Sequence, residues 1–223
     1  MLSVLLPTYN EKENIGQLIQ KLETVLKTGY EIIVIDDNSP DGTAEAVRKL
    51  AKEKKALRLV VRKGKHGLTG AILAGVKEAR GDRMLVMDAD LSHPAEAVPE
   101  LVSALDGCDI VIGSRLIPGG GVERWPIHRK LISRSAQFLA ELLLNPKCSD
   151  PLSGFFAIRK GLIKKTRFRT RGYKLLLNIL YDNPEAKVCE VPYFFRDREA
   201  GKTKLGMGEI GNYLLDIFKI RFG

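Results

Sequence analysis

Long apolar runs are missing from this chain of 223 residues. No stretch approaches the roughly 18–20 apolar residues that a bilayer-spanning helix requires, so no transmembrane helix is expected, and the first residues lack the pattern of a signal peptide. Cysteine is scarce too. Cys108, Cys148 and Cys189 are odd in number and far apart, which argues against a disulfide framework or a zinc site and fits a reducing cytoplasm. Three scattered histidines argue against a histidine-ligated metal. The single tryptophan and the phenylalanines are not arranged as a stacking platform for nucleic acid. Two familiar nucleotide motifs are absent as well. Gly201-Lys202-Thr203 ends like a P-loop, but Arg196 stands where the upstream glycine belongs, and Gly64, Gly67 and Gly70 lack the dinucleotide spacing. A nucleotide would have to be held by acidic strand ends and a metal.

A chain of this length buries a full core and fits one α/β domain. Its charge is unevenly placed. Residues 1–110 hold 15 Lys+Arg against 17 Asp+Glu, whereas residues 111–223 hold 21 against 10. The net charge of +9 therefore belongs to the second half, and eight basic residues with no acidic one lie between Arg159 and Lys174. Such a run reads as a solvated face, and the asymmetry suits an anionic partner: a phosphorylated substrate, a lipid headgroup surface or nucleic acid.

The first half alternates strand and helix, as a largely parallel sheet covered on both faces does. Strands are expected at Ser3–Leu6, Glu31–Ile35, Leu57–Val61, Arg83–Asp88 and Asp109–Gly113. Helices are expected over Asn14–Leu26, from Thr43 to about Lys54, up to Ala79 and over Ala95–Leu105. Three strand ends are polar: Tyr9/Glu11, Asp36/Asp37 and Asp88/Asp90. Right-handed crossovers aim all three at one edge of the sheet, where open α/β sheets bind ligands. Asp88 and Asp90, one residue apart, are hard oxygen donors suited to Mg²⁺ or Mn²⁺ carried with a diphosphate. Asp41 and Thr43 read as turn and helix-cap residues. In the second half a helix over Ile127–Leu144 places Leu131, Phe138, Leu139, Leu142 and Leu143 on one side; it either packs on the core or lies on a membrane. Further strands are expected from Asp150 and over Lys187–Phe194, and an amphipathic segment over Gly208–Phe222.

Several of these stretches recur together in a known family. Pro7-Thr8-Tyr9-Asn10-Glu11, Asp36-Asp37-x-Ser39-x-Asp41-Gly42-Thr43, Asp88-Ala89-Asp90 and Asp150-x-x-Ser153-Gly154-Phe155 resemble family 2 glycosyltransferases of the GT-A fold. Within them, Asp88-Ala89-Asp90-Leu91-x-His93-Pro94, Gly113-Ser114-Arg115, Trp125-Pro126-x-x-Arg129-Lys130-Leu131-Ile132-Ser133 and Gly201-x-x-Lys204-Leu205 resemble the dolichyl-phosphate mannose synthases. The likeness runs from Ser3 to Leu205.

That resemblance implies a mostly parallel Rossmann-like sheet flanked by helices. It implies one catalytic domain over 1–205, with a nucleotide half to about 115 and an acceptor half beyond, then a terminal amphipathic helix over 206–223. The implied donor is GDP-mannose and the acceptor a dolichyl or polyprenyl phosphate, joined by an inverting transfer. Pro7, Tyr9, Glu11, Ile35 and Asp37 would hold the guanosine, and Asp88, Ala89 and Asp90 would meet the metal and diphosphate. Arg115, Arg129, Ser133, Asp150, Arg198 and Lys204 would serve the phosphates and acceptor, with Asp90, Arg115 and Arg198 the catalytic set. Two positions depart from the pattern: Ser92 stands where many relatives carry a metal-binding Gln, which makes it a shorter third ligand, and Asn178 where they often carry Glu. The implied setting is the cytoplasmic face of an anionic membrane, without nucleic acid. Some relatives continue into transmembrane helices, which brings in a membrane-anchoring subunit as a further partner or a shortened chain. A UDP-sugar transferase, a basic nucleic-acid-binding domain and a non-catalytic subunit are the alternative readings.

Overall fold

The computed structural model describes residues 1–63, 67–123, 127–170, 174–196 and 207–222; within the helices, side chains are described from residue 133 and from residue 213. The first half runs β1 (Leu2–Thr8), α1 (Lys12–Val25), β2 (Tyr30–Asp36), α2 (Thr43–Ala51), β3 (Leu57–Val61), α3 (Gly67–Glu78), β4 (Arg83–Val86), a 3₁₀ turn (Ala95–Ala97), α4 (Val98–Ala104) and β5 (Ile110–Ser114). The second runs β6 (Gly121–Val122), α5 (Ile127–Leu144), β7 (Phe156–Arg159), α6 (Lys160–Lys165), α7 (Leu175–Asp182), β8 (Val188–Pro192), β9 (Phe194–Phe195) and α8 (Met207–Phe222). The segment expected as one strand over Lys187–Phe194 divides at Tyr193, because β8 pairs with β5 whereas β9 pairs with β6 in a separate two-stranded sheet.

Seven strands form the main sheet in the order β3-β2-β1-β4-β7-β5-β8. All neighbours are parallel except β7, which runs antiparallel to both β4 and β5. Strand residues alternate strictly between the two faces, as a pleat requires. Val4, Leu6, Ile32, Val34, Leu85 and Val111 pack against α1, α2 and α4. Leu5, Ile33, Ile35, Met84, Val86, Ile110 and Ile112 pack against α3, α6 and α7. The apolar run Ile32-Ile33-Val34-Ile35 is thus buried on both faces, as central parallel strands are.

β1 is bonded to β2 along its full length, from Leu2↔Tyr30 to Thr8↔Asp36, but to β4 only as far as Leu5↔Val86. The two strands then part. Pro7, which has no N–H to give, lies beyond that last pair, where the missing donor costs the β4 ladder nothing. At the amino end of the sheet, buried Glu31 accepts from Ser3 Oγ (2.7 Å), the Arg80 N–H (2.6 Å) and Arg58 Nη1 (3.1 Å).

One expectation is corrected and one choice is narrowed. Cys108 and Cys189 are joined as a disulfide, their Cα atoms 6.1 Å apart across 81 residues of sequence. Spacing hid this because β8 returns beside β5, setting Cys189 opposite Val111. Cysteine usage therefore gives no argument for a reducing compartment. The sequence left the apolar stripe of α5 either packed on the core or laid on a membrane; in the structure Phe138 is 65% and Leu142 68% exposed, Leu139 is partly buried, and the small Ala140 is fully buried. It meets α8, whose Tyr213, Ile217 and Ile220 pack inward and whose Leu214, Leu215, Phe218 and Phe222 stay exposed. None of the described helices is long and apolar enough to cross a membrane.

Reducing the Cys108–Cys189 link should lower stability by about 2–4 kcal/mol, the usual range for a bridge closing a long loop. Non-reducing peptide mapping together with thermal melts with and without reductant checks this; free thiols at both positions in the untreated protein would contradict it.

Candidate active site

The carboxyl edge of the sheet is stitched together loop by loop. After β1 the chain turns through Asn10 (φ 61°), and after β2 through Asn38 (φ 54°), both left-handed conformations that asparagine tolerates. The first turn of α1 lacks a cap from its own side chain. Neighbouring side chains supply it: the N–H groups of Asn10, Glu11 and Lys12 donate to Ser39 Oγ, Thr43 Oγ1 and Asp41 Oδ2, each at 3.0 Å. Asp41 also accepts from the Thr43 amide (2.9 Å) and hydroxyl (2.6 Å), so the turn-and-cap reading of this pair holds. Burial alone would raise the Asp41 pKa; these hydrogen bonds outweigh it and hold the pKa below its ordinary 3.8. Asp36 is fully buried and bonded to Thr8 and Ser39, whereas Asp37 comes next on the rim. Its carboxylate lies 3.3 Å from Arg62 Nη1. Ile35, expected on the nucleotide side, is completely buried, which leaves its side chain out of reach of any ligand.

Beyond β4 the two carboxylates take different postures. The Asp88 side chain is 35% exposed. Asp90 is nearly buried and folds back: its Oδ1 accepts from the Ser92 amide (3.1 Å) and hydroxyl (2.6 Å). This return needs Leu91 in the left-handed region (φ 64°), a conformation that costs a branched side chain about 1–2 kcal/mol. Ser92, expected as a third metal ligand, is fully buried with its hydroxyl on Asp90; its observed part is to hold that carboxylate. Among the described residues no three His, Cys, Asp or Glu side chains gather as an ion cage. Carboxylates at an open edge nevertheless fit Mg²⁺ or Mn²⁺, which take one or two protein carboxylates and complete their shell with phosphate oxygens and water.

The antiparallel β7 completes the edge. Because it runs backwards, its amino end and the preceding Asp150–Phe155 loop arrive where β4 and β5 finish, with Phe156 opposite both Val86 and Ile112. Ser153 Oγ ties the loop to β5 by donating to Gly113 O (2.7 Å), and Glu190 accepts the amides of Ser149 (2.8 Å) and Asp150 (3.2 Å). Asp150 is thereby presented to Arg115. It accepts from Arg115 Nε (2.7 Å), Nη2 (2.7 Å) and backbone N–H (3.1 Å). Burial opposes the Arg115 charge, but the hydrogen bonds and charge of Asp150 prevail and raise its pKa further. The sequence placed both residues on the acceptor side; their bond to each other was not legible there. The glycine run that follows is required by close approach, since a Cβ on Gly120 would fall 2.5 Å from Ser114 O.

Ser133 lies on α5, where its Oγ accepts from Gln137 Nε2 (3.4 Å). Arg198, Lys204 and the Arg129 side chain fall outside the described residues. Asn178 is explained as structure: its amide donates to Thr170 Oγ1 (2.9 Å) and Lys174 O (2.8 Å) and accepts from the Arg169 N–H (3.1 Å). An ionised Glu could make neither donation. Sequence reasoning passed over Arg62, although it follows a strand end as Asp37 does, and gave His93 no role.

Residues 3–167 match the model of glycosyl transferase family 2, and the chain belongs to that family; its fold is the GT-A arrangement. Its curated relatives include the dolichol-phosphate mannosyltransferase of Pyrococcus furiosus, 43% identical over 98% of this chain and 63% of that protein. Those of Mycosarcoma maydis and Saccharomyces cerevisiae are each 37% identical over 99% of this chain, covering 80% and 88% of their own lengths. The chain thus spans less than two thirds of the Pyrococcus furiosus protein. A solved structure of glucosyl-3-phosphoglycerate synthase from Mycobacterium tuberculosis, in complex with Mn²⁺, UDP-glucose and phosphoglyceric acid, superposes with a TM-score of 0.73 at 21% identity, covering 99% of this chain and 78% of that one. That likeness is one of fold.

Two substitutions test the stitching of the edge. Asp150→Ala leaves Arg115 charged and buried, and should cost about 3–5 kcal/mol in chemical denaturation. Asp41→Ala should cost about 1–2 kcal/mol at neutral pH. Because the folded pKa of Asp41 is depressed, its contribution is present above the unfolded value of 3.8 and is lost as pH falls through the lower folded value; the gap between wild type and variant should close there. A pH-independent gap would remove the carboxylate from this role.

Proposed function

We propose that this chain transfers mannose from GDP-mannose to a dolichyl or polyprenyl phosphate at a membrane surface, inverting the anomeric centre. The single observation that supports this reading is that Asp37, Asp88 and the Arg115–Asp150 pair follow β2, β4 and β5 at one carboxyl edge of the sheet, in a chain whose relatives are named dolichol-phosphate mannosyltransferases.

In this reading Pro7, Tyr9, Glu11 and Asp37 hold the guanosine. Asp88, Ala89 and Asp90 receive the diphosphate with a divalent ion, which supplies charge neutralisation for the departing GDP. The acceptor phosphate is already an anion and needs no general base. The harder task is bringing two phosphates together. Arg115, held in place by Asp150, supplies positive charge for this, joined by Arg129, Arg198 and Lys204, with Ser133 offering a hydroxyl. Direct attack from the opposite side of the sugar gives a β-linked product. The outward apolar residues of α5 and α8, together with the basic second half, suit an anionic membrane that holds the acceptor; each Lys or Arg near such a surface contributes about 1 kcal/mol. A membrane-anchoring subunit would meet the same face.

Radiolabelled GDP-mannose, a short-chain polyprenyl phosphate and Mn²⁺ or Mg²⁺ test the reading. We expect label in the lipid phase and a larger thermal shift with GDP than with UDP. Asp88→Asn should lower transfer on the order of 10²–10³-fold, the size of effect of removing one preorganised electrostatic group, with the melting temperature little changed. Label transferred from a UDP-sugar instead would redirect the donor assignment, and full activity in Asp88→Asn would refute the site.

A further inference from the structure

The residue beside Asp88 in space that the reading above does not use is His93. It is 3% exposed and lies at the end of the turn that begins at Asp88. Its Nδ1 accepts the backbone N–H of Asp88 at 3.0 Å. A ring nitrogen that accepts carries no proton, so in the neutral ring the proton is on Nε2. That Nε2 lies 4.0 Å from Asp88 Oδ2. One imidazole therefore accepts the Asp88 backbone N–H with one nitrogen and holds the other 4.0 Å from the same residue's carboxylate.

Three aromatic rings fix the imidazole. Phe155 stacks on it (centroids 5.0 Å apart, planes 11° apart), and Tyr193 and Phe195 approach it at steep angles at 5.6 and 5.9 Å. These rings come from the loop before β7 and from the end of β8 onward, so elements at the far side of the fork meet on this histidine. The backbone makes the same connection, with the Arg196 N–H donating to Ser92 O (3.1 Å). Gly154 borders both groups: a Cβ there would stand in ordinary van der Waals contact, 3.5 Å from both Asp88 Oδ2 and His93 Cε1.

We propose that His93 is a positioning residue that sets the orientation of the Asp88 carboxylate and thereby the affinity of the edge for a divalent ion. The proposal rests on the assignment of Asp88 to the ion and diphosphate. A histidine that merely filled space would be replaced well by phenylalanine, and the ring contacts alone give no reason for its nitrogens to face one aspartate. Residues that orient a metal-binding side chain typically change metal affinity 10–100-fold when they are removed.

The test compares His93→Phe, His93→Asn and His93→Gln, by Mn²⁺ titration in the presence of GDP and by thermal melts. His93→Phe keeps the aromatic packing and loses both nitrogens; we expect its Mn²⁺ dissociation constant to rise at least 10-fold while the melting temperature moves little. Asn places an acceptor near Nδ1 and Gln a donor near Nε2, so each should recover part of the affinity. A His93→Phe protein that binds Mn²⁺ as tightly as wild type overturns the proposal. If His93→Phe fails to fold, the Gln and Asn proteins decide: wild-type affinity in both overturns it, and weakened affinity at preserved melting temperature supports it. A wild-type protein that binds GDP but no Mn²⁺ removes the assignment beneath the proposal, which separates the two failures.

Discussion

The parting of β1 from β4 is the constraint on which the rest depends. Their register ends at Leu5 and Val86, with the Met87 N–H donating to Leu5 O (3.4 Å) as the last bond, while β1 stays joined to β2 through Thr8 and Asp36. A sheet that changes winding direction opens a crevice at that point, and its walls are whatever follows the strands. Here those are Tyr9 and Asp37 on one side and Asp88 on the other. At the opposite end the buried acid Glu31 is enclosed by three donors. Acidic residues are therefore present at both ends, but Glu31 is buried among its donors, whereas the Asp88 side chain is 35% exposed.

The antiparallel strand supplies what a purely parallel sheet would lack. By reversing between β4 and β5 it carries Asp150, Ser153 and Phe155 to the open edge, where Asp150 clamps Arg115 and Phe155 packs on His93. The edge is thus framed by Asp41 and Thr43, bonded to the start of α1, and by an arginine fixed in a buried ion pair. A buried pair of this kind adds little to net stability, but it fixes a cation in one place at every physiological pH. Leu91 in a left-handed conformation shows that the same region carries backbone strain, which is found where function over-determines geometry.

Much of the fold was legible because apolar alternation and helix spacing are local signals. α1 buries Ile15, Leu18, Ile19 and Leu22 at the helical interval, and Leu57–Val61 is a strand at its expected limits. The three polar strand ends follow from right-handed crossovers. What escaped the sequence depends on contacts distant along the chain: the antiparallel course of β7, the Cys108–Cys189 bridge, the Asp150–Arg115 pair and the division at Tyr193. For α5 the sequence left two readings open, because spacing defines a stripe but not what lies opposite it; Ala140 proved to be a buried contact and Phe138 exposed. Ser92 and Asn178 stood out as departures from a pattern, and only their partners, Asp90 and Thr170, gave them physical roles.

The most direct measurement is a crystal grown with GDP and Mn²⁺, with anomalous scattering recorded at the manganese edge. An anomalous peak beside the Asp88 carboxylate, with the guanosine lying along Tyr9 and Asp37, is the expected result. A bound nucleotide whose manganese lies away from Asp88, or a nucleotide at the amino end of the sheet near Glu31, would contradict it.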